Sequence, residues 1–150
     1  MTKTSDKKNE NLQISILGQY LKDLSFENPN APEIFQSKEA PKVEMDVNVA
    51  ISKSSTAQDI YEVCLKVRAS LKQGEKTSFI IEVAYAGLVE IKSNNEDAIK
   101  AVLATEVPKL LFPYVRQIIS NVSISGGFPP LNLAPINFGV STIDNSKIKH

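Results

Sequence analysis

Four stretches of this chain alternate apolar and polar side chains with a period of two, and short polar segments join them. That period is the signature of a strand with one buried and one wet face. In the first stretch Leu12, Ile14 and Ile16 alternate with Gln13 and Ser15. The segment GQYLKDLSF extends it, with Gly18 read as a bend or bulge. In the second, Val43, Met45, Val47 and Val49 point one way and Lys42, Glu44, Asp46 and Asn48 the other. The third places Tyr61, Val63, Leu65 and Val67 opposite Glu62, Lys66 and Arg68. The fourth aligns Phe79, Ile81, Val83 and Tyr85, with Ile80, Glu82 and Ala84 on the reverse. Short turns between such runs, one through Gly74, require antiparallel neighbours.

After residue 92 the period lengthens. Asn95 is placed to cap a helix whose first turn holds Glu96 and Asp97, and Ile99, Val102 and Leu103 recur at helical spacing. Pro108 is read as the end of that helix. A second helix follows in LFPYVRQIISNVSIS, with Pro113 in its first turn and Gly126-Gly127 as its stop. Val115, Ile118, Ile119, Val122 and Ile124 spread beyond one narrow stripe, so this helix is expected to pack on more than one side, against its sheet and a second subunit. Strands first and helices after make an α+β fold, with an antiparallel sheet covered on one face. Residues 1–11 are polar and aperiodic and read as a disordered tail; one domain spans 12–138, and 139–150 read as a short flexible tail.

Beyond the helices comes GFPPLNLAPINF, Gly127–Phe138. Its three prolines forbid a helix or central strand, yet Phe128, Leu131, Leu133, Ile136 and Phe138 are large and apolar. Loops are ordinarily polar because they lie against water, so this one must face something else.

The chemistry of the chain points to binding rather than catalysis. No phosphate-cradling glycine loop, Cys-x-x-Cys or His-Glu-x-x-His occurs, and the single histidine is the last residue. One cysteine and one histidine leave too few ligands for zinc, so no metal and no cofactor is expected. Cys64 reads as a small buried hydrophobe in a reducing compartment. Seventeen basic and seventeen acidic residues cancel, which argues against nucleic acid or an anionic membrane as the main partner. The longest charge-free apolar run, Val83–Val89, is too short to span a bilayer, and the N-terminus lacks the apolar core of a signal peptide. The expectation is a cytoplasmic protein that is not an enzyme.

Several segments together resemble the SecB family of bacterial protein-export chaperones. They are KDLSFENPNAPEIFQ (Lys22–Gln36), YEVCLKV (Tyr61–Val67), FIIEVAYAGLVEI (Phe79–Ile91), LFPYVRQIISNV (Leu111–Val122) and GFPPLNLAPINF. They stand in the family's order and spacing. The resemblance implies a four-stranded antiparallel sheet with a long helix packed on one face, and a homotetramer, a dimer of dimers with long helices between outer sheets. It also implies an ATP-independent holdase that keeps secretory precursors unfolded and delivers them to the SecA motor.

A holdase needs long apolar grooves with adaptable walls, and many weak subsites reinforce one another through effective concentration. On that basis Val43, Met45, Tyr61, Tyr114, Phe128, Leu131, Leu133, Ile136 and Phe138 are candidates for the client groove. By the resemblance, Asp23, Glu27, Ile80 and Glu82 match the outer-face surface that meets a basic, zinc-carrying tail of SecA; the zinc belongs to the partner. An alternative role is a general antiaggregation or toxin–antitoxin chaperone. Two departures from the family stand out: this chain is neutral where relatives are acidic, and GVSTIDNSKIKH is a poor helix former where relatives continue into a C-terminal helix.

Overall fold

In a computed structural model that describes residues 12–139, the four alternating runs become four long strands. They are β1 (Gln13–Glu27), β2 (Pro41–Lys53), β3 (Ile60–Gln73) and β4 (Lys76–Lys92). All pair antiparallel in the order β1-β4-β3-β2, so β1 and β2 are the two edges. The β3–β4 hairpin closes between Gln73 and Lys76, and Gly74 at its first loop position takes a φ of 66°, which a side chain would resist. The tails read in residues 1–11 and 140–150 lie outside the described residues.

The register shifts twice along β1, between Ile16 and Gly18 and between Leu21 and Asp23. The first is the irregularity expected at Gly18. The second inserts Lys22 and turns both Lys22 and Asp23 toward the polar face. On the opposite face Val63, Leu65, Val67, Phe79, Ile81, Val89 and Ile91 are fully buried.

Helix α1 (Glu96–Ala101) begins as read: the Asn95 side chain accepts from the backbone N–H of Asp97 and Ala98. It does not end at Pro108. A π-helical segment, Val102–Glu106, leads without a break into α2 (Val107–Ser125). The wide π turn immediately before Pro108 removes the bond that its missing N–H would have made, and Thr105 Oγ1 donates to the Ala101 carbonyl. Pro113 therefore lies inside α2 rather than in a first turn, on its exposed side where water can take the freed carbonyl.

The helix crosses the sheet diagonally. Ile99 and Leu103 sit beside Ile51 and Tyr61 near β2 and β3. Leu111 fills the space left by Gly87 on β4, and Gly126 reaches Phe26 on β1. Because only its C-terminal end arrives there, the inner face of β1 stays bare. Ile14, Ile16, Leu21 and Leu24 are 37–45% exposed, so β1 is not the half-buried strand its alternation implies. The pattern reports which face is apolar; it does not report whether this chain covers it.

Candidate functional site

Leu111, Val115 and Ile119 press α2 onto the sheet, which leaves two flanks. Phe112 and Tyr114 are two residues apart, about 200° around the helix, and so take opposite flanks. Tyr114 stacks on Tyr85, ring centroids 5.6 Å apart and 12° between planes, and the Tyr85 hydroxyl donates to Gln19 of β1. That is the β1 flank. Phe112 meets Phe138 at 6.3 Å on the other side, toward β2.

The segment 127–138 runs back along this second flank. It starts with Phe128 packed on Phe79 at 4.9 Å and Phe35 at 5.0 Å, and returns to Phe112 near the start of α2. Phe128, Leu133 and Phe138 are buried, one side chain in five, and Leu131 and Ile136 are half-buried between them. Ser123, itself fully buried, accepts the Leu131 N–H at 2.9 Å and donates to the Ser120 carbonyl at 2.8 Å. The apolar loop is thus a strap fastened to the helix. Pro129, Pro130 and Pro135 lie on its wet side.

Beside the strap, the first half of β2 is left open. Val43 is 42% and Met45 37% exposed, whereas Val49 and Ile51 further along the same face are buried. Phe35, which the sequence reading passed over, is 48% exposed next to Phe128; its signal was an aromatic residue beside Ile34 in a short, proline-marked connection. Tyr61 lies at the far end of the sheet, paired with Lys53 and flanking a depression with Ile99 and Leu103. Of the candidate groove residues, Val43 and Met45 are exposed on one half of β2, and Leu131 and Ile136 are half-buried on the strap. Tyr61 sits at the other end of the sheet beyond buried Val49 and Ile51, and Phe128, Leu133 and Phe138 are buried. Tyr114 stands apart on the β1 flank.

The polar face of the sheet assembles differently. Glu27 pairs with Ile80, Ser25 with Glu82 and Asp23 with Ala84, which brings Asp23, Glu27, Ile80 and Glu82 into one patch. Further along, Tyr20 and Lys22 reach over the small side chains of β4 to Glu62 on β3. Burial would raise the Glu62 pKa, but the hydrogen bonds from Lys22 and Tyr20 outweigh it and hold the carboxyl below its usual range. Burial, followed by the bond to Glu62, pushes the Tyr20 phenol up to about 12. Cys64 is buried at the floor of this face, and desolvation raises its thiol pKa. Among the described residues there is no cluster of metal-ligating side chains and no helix long and apolar enough to cross a membrane.

A family profile described as preprotein translocase subunit SecB matches residues 7–142, nearly the whole chain. The chain belongs to the SecB family. Relatives named protein-export protein SecB include one from Zymomonas mobilis, 48% identical over 84% of this chain and 76% of the relative. Another, from Azotobacter vinelandii, is 43% identical over 87% of this chain and 80% of the relative. Among solved structures, a SecB-like chaperone from Mycobacterium tuberculosis, in complex with a ChAD peptide from the HigA1 antitoxin, superposes with a TM-score of 0.69. It covers 90% of this chain and 98% of that one at 15% identity, so it speaks to the fold alone. The strap and the polar patch are thus features of a SecB-family chain.

Proposed function

We propose that this chain is an ATP-independent holdase that binds unfolded secretory precursors in the cytosol and delivers them to SecA. The observation that carries the reading is the bare apolar strip beside the strap, Val43, Met45 and Phe35, on a SecB-family scaffold. β2 is an edge strand, so an extended client can set apolar side chains on the strip and pair its backbone with the open edge. Each contact is small and reversible, and strength comes from repeating the strip in an oligomer.

Self-association has its own surface. Ile14, Ile16, Leu21 and Leu24 on β1 and Leu110 and Tyr114 on α2 are exposed on the side away from the strap, and Ile124 on the outer face of α2. Covering them with further copies of the chain gives the dimer of dimers and leaves the client strips outward. On the reverse of the sheet, Asp23, Glu27, Ile80 and Glu82 form the SecA-docking patch, an exposed acidic rim around a half-buried isoleucine.

The purified protein, without nucleotide, is expected to slow refolding of a secretory precursor and to retain it unfolded on a tetramer. Unchanged refolding and aggregation of several precursors would remove the reading.

A further inference from the structure

The acidic patch is not an uninterrupted one. Across the strands the row through Glu82 reads Ser25, Glu82, Arg68, Asp46. Arg68 stands between two carboxylates, a placement that favours attraction on both sides. Its guanidinium lies 3.6 Å from Glu82 with both side chains about half exposed. The next row reads Glu27, Ile80, Ser70, Glu44, and Lys72 approaches Glu44 at 3.8 Å. Arg68 also walls the shallow depression of about 330 Å³ that Ile80, Asp46 and Glu44 line. The surface that would receive a basic segment thus carries its own cation at its centre.

We infer that Arg68 is a specificity-determining residue of this face: an internal competitor, paired with Glu82 and standing opposite Asp46, that must be displaced before a lysine- or arginine-rich segment can dock. The inference rests on the SecA-docking reading. An incoming cation exchanges one ion pair for another instead of meeting free carboxylates, so docking is weakened and the demand on the partner's charge density rises. Asp46 and Glu44 of β2 become part of the receiving surface once Arg68 swings away. Because the pair is solvent-exposed, it is a modest competitor, and salt screens it.

The test is the affinity of purified SecA for the full chain and its variants, measured by titration calorimetry at low and high salt. Arg68→Gln is expected to tighten binding about two- to fivefold at low salt, with the gain shrinking at high salt. Arg68→Lys keeps the charge and is expected to stay near the parent. Glu82→Lys and Glu27→Lys are expected to weaken binding. Unchanged or weaker binding by Arg68→Gln, beside a clear loss in Glu82→Lys, overturns the role of Arg68 and leaves the docking surface standing. Equal tightening by Arg68→Gln and Arg68→Lys also overturns it, since charge is then not the cause. Full binding by both charge reversals removes the docking surface itself, and the inference with it.

Discussion

Tyr20 and Glu62 hydrogen-bond across an intervening strand: one is on edge strand β1, the other on β3, and β4 lies between them. The span is possible because Ala84 and Ala86 of β4 present almost no side chain, and because the bulge at Lys22 turns a second donor to the same carboxylate. An edge strand that makes few buried contacts is thereby tied to the centre of the sheet on its polar side.

Glu62→Gln is expected to cost about 1–2 kcal/mol at neutral pH, the range for a charge-assisted hydrogen bond at a partly exposed site. The folded-state pKa of Glu62 is depressed, so its contribution is present above the ordinary carboxylate range and is lost as pH falls through and below it. Urea unfolding of parent and variant should therefore differ at pH 7 and converge in acid. A gap that stays constant down to the acid transition would show that the carboxylate is not responsible. At the other limit Tyr20, raised to about 12, adds stability that fades as pH climbs above its usual value near 10.

Gly126 is required for closeness rather than for an unusual backbone. Its φ of −78° suits any residue, but a Cβ there would stand 2.2 Å from the Phe26 ring. Gly126→Ala is expected to destabilise by about 1–3 kcal/mol, the usual cost of overpacking. Phe26→Leu in the same chain should recover part of that loss, because it shortens the ring that clashes. If Gly126→Ala alone melts with the parent, the helix end does not rest on β1 as described.

Strand faces and turns were legible because a period of two needs no partner to be recognised: Val63, Leu65 and Val67 alternate in the sequence and are buried in the fold. Helix ends were legible where a side chain does the work, as at Asn95, and not where geometry absorbs the signal. Pro108 looks like a stop, but a π turn takes up its missing donor. The alternation on β1 could not say whether a helix would cover Ile14 and Leu21. For the apolar loop, composition showed that it must meet an apolar surface, but not the one-in-five burial of Phe128, Leu133 and Phe138 or the fastening at Ser123. Those depend on where the helix runs. The four residues proposed for docking came together because antiparallel register, once the strands are known, sets Glu27 opposite Ile80.

Leu21 and Tyr114 test the association surface. Leu21 is 45% and Tyr114 46% exposed, so a charge at either is tolerated within one chain but would be buried unpaired in the proposed interface between copies. Leu21→Glu and Tyr114→Glu are expected to shift sedimentation toward smaller species while each chain keeps its circular dichroism. Unchanged assembly in both variants would place the interface elsewhere.

The strap and the open end of β2 make a pair of opposed expectations. Leu133 is buried, so Leu133→Ala should cost about 2–4 kcal/mol and lower the melting temperature. Val43 and Met45 are exposed, so Val43→Ser with Met45→Ser should leave stability within about 0.5 kcal/mol, as surface changes do. If those two side chains receive clients, the same double variant must lose its hold on an unfolded precursor. Ser123→Ala lies between: it strands the Leu131 N–H, costs about 1–2 kcal/mol, and loosens the strap beside the strip. Client affinity should then fall in the double serine variant without a stability change, and in Ser123→Ala together with one. Full holdase activity in the double serine variant would move the client site off β2, because nothing else about that variant could hide the loss.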